Sequence, residues 1–500
     1  MFRMGWQMGN KPVFLSKSKV VKGIQCQKAL YLQMNCPEVK AEYSEQTEEA
    51  FRTGTEVGIY AQQLFPGGVE IAFEGSSFSE QIKRTEEEIK KGTKVIYEAT
   101  FSHDGVFCKV DILKKVSKGW ELYEVKSSTG VKDVYLDDIA IQSRVLKGSG
   151  IVVTKSFLVH INNQYVRQGG IEPSKLFTCV DVTGIAIIKE PEIKAVVDNL
   201  KAMLAGPLPN IDIGEHCSAP YECEYYAHCT KHIPEVSVFS LRGKGTNKYQ
   251  LYEQGIITLK ELANSGIALN SSVQLQVDSY LNKKEHVDKK AIKEFLAGLT
   301  FPLYFLDFET FNCGIPPFDG VRPYQNYPFQ YSLHYLTSPK GALKQKHFLA
   351  EPNADPRRML TETLIRDIPS NVCILAFNAK FEKGVMADLA EQFPDLKVAL
   401  TKRAKNICDL MAPFYAKHYY HWQFMGSYSQ KAVLPLFAPH LSYKKLKIQN
   451  GGMAMEAYNR INKSKDAMEI DKLRAALLEY CCLDTLGMVE IYRKLLKIVM

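Results

Sequence analysis

In the stretch LYFLDFET, residues 303–310, an apolar run ends on two acids two residues apart. Side chains alternate along a strand, so Asp307 and Glu309 share one face while Leu306 and Phe308 take the other. Two adjacent carboxylates repel unless a cation lies between them, and their oxygens are the ligands that magnesium and manganese prefer. Towards the other end, EYCCLDTLGMVEIYRKLL, residues 479–496, repeats its apolar positions at helical spacing and sets Tyr480 and Asp484 one turn apart on one face. A third group lies in VFCKVDILKKVSKGWELYEVK, residues 106–126. It reads as two alternating strands joined by a basic turn with Lys118 and Gly119. The first strand is expected to end on Asp111, and the second presents Glu124 and Lys126 on one face with Val125 turned away. In GEHCSAPYECEYYAHC, residues 214–229, Cys217, Cys223 and Cys229 have five residues between successive members. That spacing is wider than the C-x(2–4)-C of structural zinc sites.

The elements that must position these groups follow from the rest of the chain. At 500 residues it exceeds one core, and about 150 residues per domain implies two to four domains. An apolar fraction of 46% and an aromatic fraction of 11% are those of folded soluble protein. No run approaches the ~20 apolar residues that cross a bilayer. MFRMGWQMGNKPVF lacks the apolar core of a secretory signal, so a cytoplasmic protein without a membrane partner is expected. Twelve cysteines then read as metal ligands or buried thiols, which excludes a disulfide scaffold. A net charge of +8 fits a nucleic-acid partner, and the basic runs at 114–118, 402–405 and 443–447 are candidates for phosphate contact. Residues 15–32 read as one capped amphipathic helix carrying Cys26, and residues 150–165 as a buried strand. Residues 239–263 read as two short helices around a glycine turn, similar to a helix-hairpin-helix whose amides grip phosphate, and residues 277–299 as a charged helix. No internal repeat is found.

An acid pair on a first strand with Tyr-x-x-x-Asp on a last helix resembles the DEDD exonucleases of the tyrosine subclass, over roughly residues 300–500. The stretch VCILAFNAKFEKGVM, residues 372–386, is similar to that family's second motif, with Glu382 where the family has aspartate. Asp409, and Ser429 with Lys431, lie in two stretches that look like auxiliary motifs. The resemblance implies a ribonuclease H-like fold. It further implies two magnesium or manganese ions held by Asp307, Glu309, Glu382 and Asp484, with Tyr480 orienting the attacking water.

Residues 14–232 resemble the RecB-like PD-(D/E)XK nucleases that carry a 4Fe-4S cluster, including the CRISPR-associated adaptation nuclease. Asp111, Glu124 and Lys126 match the metal-binding acids and the lysine, and Gln142 matches the glutamine on the following helix, though Leu146 stands where a tyrosine often accompanies it. Gly58 occupies the position of a histidine metal ligand, with Glu56 nearby on the same helix. Cys26, in the setting GIQCQKALYL, would join Cys217, Cys223 and Cys229 as cluster ligands, with Cys36 as a competing candidate.

The expected architecture is α/β. A restriction-endonuclease-like domain spans 1–235, a helical connector 236–299 and a ribonuclease H-like mixed-sheet domain 300–500. The order of the parts resembles a bacterial family that fuses the two nuclease types. The expected activity is metal-dependent phosphodiester hydrolysis from a 3′ end, on single-stranded or 3′-ended DNA ahead of RNA. A nucleic-acid-binding scaffold with one or both sites decayed is the alternative, kept open by Gly58 and Glu382. Protein purified without oxygen is expected to be brown with about four irons per chain, and Cys217→Ser to bleach it; iron analysis that returns stoichiometric zinc instead would refute the cluster.

Overall fold

Fourteen strands can be followed through the residues that the computed structural model describes, 13–43, 45–73, 75–243 and 246–500. They are β1 (Leu15–Ser16), β2 (Val69–Glu70), β3 (Val95–His103), β4 (Val106–Val116), β5 (Gly119–Lys126), β6 (Val153–Ile161) and β7 (Phe177–Asp181) in the first half. The second half has β8 (His286–Val287), β9 (Leu303–Phe311), β10 (Tyr327–Leu336), β11 (Lys344–Leu349), β12 (Cys373–Ala376), β13 (Ile407–Asp409) and β14 (Tyr419–Tyr420). Helices pack on both main sheets, giving a mixed α/β protein. The chain divides into two compact units, one running to His232 and including Cys313–Tyr324, the other made of Ile233–Asn312 and Gln325–Met500.

The first unit is built on a mixed sheet in the order β2-β3-β4-β5-β6-β7, with β1 added parallel to β4. β4 sends Val106, Cys108 and Val110 towards one core with Leu122, Ile139 and Val197. The alternation slips at Asp111, opposite Glu98 at φ 56°, so that beyond it Leu113 faces this core and Ile112 a second core with Val57, Tyr97 and Tyr123. Ile315 and Tyr324, from the segment that leaves the later half of the sequence, belong to this second core. β4 runs through Asp111 to Val116, so the acid lies mid-strand, where the sequence reading ends the strand. β4 and β5 close at Val116 and Gly119, and Gly119, at φ 151°, is needed there because a Cβ would fall 2.3 Å from the Val152 carbonyl oxygen. The expected single helix over 15–32 is two, Lys17–Gln25 and Gln27–Asn35, with Cys26 extended between them at φ −159°, ψ 114°. Contacts distant in sequence impose this break. Gln25 donates to the carbonyls of His216 at 2.8 Å and Tyr221 at 2.6 Å, which draws the joint towards the later cysteine loop.

In the second unit a five-stranded sheet, β11-β10-β9-β12-β13, has β9 at its centre, antiparallel to β10 and parallel to β12. One face carries Tyr304, Leu306 and Phe308 into a core with Leu364, Met386 and Leu400. Phe305, Asp307 and Glu309 fall on the other face by alternation. The helix Ala467–Val499 packs on that face, with Tyr492 5.8 Å from Phe305. Residues 236–299 cluster with this unit, as the short helices Lys248–Glu253, Leu259–Asn264 and Ser271–Asn282 around Val238, Leu241 and Val277. Lys244 and Gly245 of the expected helix-hairpin-helix stretch lie outside the described residues. The helix expected over 277–299 is interrupted at Lys283, φ 52°, because β8 pairs there with β14.

Polar pins set the long helix against β10. Thr485 Oγ1 lies 2.7 Å from both Ser332 Oγ and His334 Nδ1, and Gln330 Nε2 donates to the Leu477 carbonyl at 2.9 Å. All four side chains are buried. Thr485→Val keeps the shape and removes the shared hydroxyl, leaving buried partners unsatisfied, so urea denaturation is expected to show a loss of about 1–3 kcal/mol. A loss below about 0.5 kcal/mol would remove this network from the account of how the helix is held.

Candidate functional site

Three elements bring the second unit's acids together. β9 supplies Asp307 and Glu309, and the helix Ala467–Val499 supplies Tyr480, Cys481 and Asp484. The helix Ala379–Gln392 supplies Glu382 in its first turn, directly after β12. Asn378 enters that helix in the left-handed region at φ 78°, and its N–H is held by Asp409 Oδ1 at 3.0 Å. Asp409 therefore shapes the loop that presents Glu382. Asp307, Glu309, Glu382, Tyr480 and Asp484 line one cleft of ≈ 1840 Å³. Ligand atoms of Asp307, Glu309 and Cys481 lie within 4.8 Å of one another.

Among the described residues, no lysine or arginine forms an ion pair with any of these four carboxylates. Burial first, then Asp484 and Glu309, push Asp307 well above the usual carboxylate range. Burial and Asp484 do the same to Glu309, against the partial opposition of Lys431. Burial raises Glu382 to about 8 and Asp484 to about 6, the latter restrained by a hydrogen bond from Tyr443. That bond, Tyr443 Oη to Asp484 Oδ1, is 2.6 Å, and Gln430 Nε2 holds both the Tyr443 hydroxyl at 3.0 Å and the Asp484 carbonyl at 2.7 Å. Lys431 places its Nζ on the Gln449 carbonyl at 2.7 Å and lies over the Tyr443 and Tyr480 rings. Glu382 Oε2 is buried without a hydrogen-bond partner. Repelling oxygen donors with one oxygen unsatisfied fit a hard divalent ion. Buried as a neutral thiol, Cys481 donates weakly to Asp307 Oδ2 at 3.8 Å.

Residues 304–429 match a domain of unknown function, DUF2779. The match takes in Asp307, Glu309 and Glu382 and ends before Tyr480 and Asp484. No curated protein matches the chain.

In the first unit the sequence-derived residues also meet, with a different charge balance. Glu124, 2% exposed, accepts from Lys17 at 2.5 Å and Lys126 at 2.7 Å on one oxygen and from Gln142 on the other. Lys126 also pairs with Asp138. Burial alone would raise Glu124, yet Lys126 and Lys17 hold it down at about 2. Asp111, raised by burial and by Glu124, accepts the Val125 N–H at 2.6 Å. Glu98 carries no signal in the sequence. The register that sets Tyr97 opposite Ile112 and Ala99 opposite Val110 brings it level with Asp111, at φ 56°. Both line a cleft of ≈ 1050 Å³ with Lys126 and Gly58, where an added Cβ at Gly58 would meet nothing within 4 Å. Glu56 is exposed. Lys17 and Asp138 likewise carry no sequence signal, since only the sheet brings residue 17 to residue 124.

The cysteines gather as well. Cys217 feels Cys26 and Cys229, and Cys223 feels Cys217 and Cys26, with burial raising each of the two thiols, Cys223 to about 11. Cys229 is raised by burial and feels Cys26. Cys36 instead neighbours Tyr225. Among the described residues no three of these sulfurs lie within 4.8 Å, whereas zinc bonds of ~2.3 Å hold sulfurs about 3.8 Å apart.

In two of the basic runs one cation each is engaged within the fold, while Lys402, Lys405, Lys444, Lys445 and Lys447 are exposed. Lys114 pairs with Glu121 at 3.1 Å, and Arg403, 5% exposed, donates to the Ile368 carbonyl at 2.6 Å.

The raised acids give a signed pH dependence. Between the ordinary carboxylate value and about 8, folded Glu382 keeps a proton that the unfolded chain has released. The stability of metal-free protein must therefore fall as pH rises through that window and level off above it. Thermal melts at pH 5.5, 7 and 8.5 in EDTA are expected to show this fall, Glu382→Gln to flatten it, and manganese to restore stability most at high pH, where the ligands have lost their protons. Stability that rises with pH in EDTA would count against the uncompensated cluster.

Proposed function

We propose that this protein is a metal-dependent nuclease whose cutting site is the acid cluster of the second unit. The observation that carries the reading is the meeting of Asp307, Glu309, Glu382 and Asp484 in one cleft, where among the described residues none of the four forms an ion pair and Lys431 acts on Glu309 and Asp484 only through space. Magnesium or manganese held by these residues would activate water and stabilise the leaving oxygen of a phosphodiester. Tyr443 and Gln430 keep the Asp484 carboxylate in place from behind. Tyr480, 4% exposed and lining the cleft, offers its hydroxyl to orient the attacking water. Burial and Asp484 keep that hydroxyl protonated far above neutral pH, so it acts as a donor. The order of acids along the chain, with a tyrosine one turn before the last, supports the DEDD-like reading, a ribonuclease H-like fold and release of nucleotides from a 3′ end.

For the first unit, the saturation of both Glu124 oxygens by Lys17, Lys126 and Gln142 favours a RecB-like site that binds rather than cuts. The approach of Cys26 to Cys217, Cys223 and Cys229 supports a 4Fe-4S cluster stapling that unit.

Asp307→Ala is expected to remove most 3′ exonuclease activity while relieving repulsion in the metal-free fold, and Lys126→Ala to have the smaller effect. The assay compares both variants on 3′- and 5′-labelled single strands with magnesium and with manganese. Activity that survives Asp307→Ala and disappears in Lys126→Ala would transfer the chemistry to the first unit.

A further inference from the structure

The cleft that carries the acids also carries positive charge with no carboxylate to match it. Arg242, Lys248 and Lys417 line it, and among the described residues none of them forms an ion pair with a carboxylate. Burial lowers Lys248 and Lys417 from the ordinary lysine range, and Arg242 lowers Lys248 further. Two sets of charge, opposite in sign, thus share one cleft without forming ion pairs with each other, and only Lys431 acts on Glu309 and Asp484 through space. Metal ions on the acids and a polyanion on the cations would satisfy both.

Arg242 is held by a built device. Gln276, 3% exposed, accepts from the Arg242 N–H at 3.0 Å and donates to the Arg242 carbonyl at 2.6 Å. Gly426, at φ 75°, lies so close that a Cβ there would fall 2.3 Å from Gln276 Oε1 and 3.0 Å from Arg242 Cβ. The backbone of Arg242 is clamped and the start of its stem is pressed against a glycine turn, which fixes where the exposed charged head is presented. Beyond that turn the cleft becomes aromatic. Tyr415, 63% exposed, meets Tyr428 edge to face at 5.3 Å, and Lys417 Nζ lies 4.7 Å over the Tyr428 ring. Cations beside exposed aromatic faces are what a single-stranded nucleic acid uses, phosphates on the charges and bases on the rings. A duplex offers no unpaired base face to stack.

We infer that Arg242, Lys248 and Lys417, with the Tyr415–Tyr428 pair, form a tract that holds a single-stranded polynucleotide leading to the acid cluster. The inference rests on the nuclease reading and extends it. The clamp comes from residues 239–276, upstream of the matched domain.

The test measures binding of fluorescein-labelled single strands of about 12 nucleotides, DNA and RNA in separate arms, to the full chain in EDTA across a salt series. Arg242→Ala and Lys417→Ala are each expected to weaken binding roughly 3–10-fold and to reduce the slope of log K against log salt by about 0.7. Arg242→Lys should keep the slope, and Tyr428→Leu should weaken binding with the slope unchanged. The two arms show whether DNA or RNA is preferred. Hydrolysis of the p-nitrophenyl ester of thymidine 5′-phosphate by the unaltered protein with manganese checks the acids separately. Turnover of that ester alongside unchanged binding and slope in the variants overturns the tract and leaves the nuclease reading standing, as does duplex bound as tightly as single strand. No turnover of the ester removes the nuclease reading, and this inference with it.

Discussion

Mutual repulsion of buried carboxylates is the constraint on which the second unit is arranged. β9 is buried on both faces, so Asp307 and Glu309 cannot turn away from the helix that brings Asp484. Every surrounding device holds that helix and those acids where they repel. Thr485 pins it to Ser332 and His334, and Gln330 takes a carbonyl about two turns upstream. Gly487 leaves room for Gln430 and Leu434 to come close behind Asp484. An apolar lattice supplies the rigidity, and the polar pins select a register that apolar packing alone would leave loose.

The first unit shows the opposite solution to the same problem. Glu124 is as deeply buried as the acids of the second unit, yet two lysines and a glutamine surround it, and it stays ionised. A buried pair of this kind satisfies itself and has no need of a bound ion. Asp111 and Glu98 retain some of the tension, since the register sets them side by side and Lys17 reaches them only through space. The two clefts therefore differ in what they lack: among the described residues the acids of the larger form no ion pair, and the smaller has most of its charge already matched.

The segment between the two sheets is part of the working cleft. Its helices form their own small core around Val238, Leu262 and Val277, and this core supports the Gln276 clamp on Arg242. A mobile tether could present the same arginine, at a larger entropic cost on binding. Here the ordering of the Arg242 backbone is done during folding.

Much of the site is legible in local sequence. Alternation along LYFLDFET puts Asp307 and Glu309 on one face, and helical spacing puts Tyr480 with Asp484, because both patterns depend only on backbone geometry. The same reasoning finds the β4–β5 hairpin with Asp111, Glu124 and Lys126, but ends β4 too early: its alternation slips at Asp111 while its pairing with β3 and β5 continues to Val116. Residues that act across the fold are invisible to it: Tyr443 behind Asp484, Lys17 on Glu124, Glu98 beside Asp111, and Arg242 in the cleft. None lies within a helical turn or a strand repeat of the group it serves, so no local period reports it. The extended joint at Cys26 belongs with these, because Gln25 is drawn to carbonyls almost two hundred residues later. Which chemistry the chain can carry is thus written in spacings of two and four residues. Which acids remain unneutralised, and so free to take a metal, was decided by tertiary packing, because charge compensation depends on distance in space and sequence records only distance along the chain.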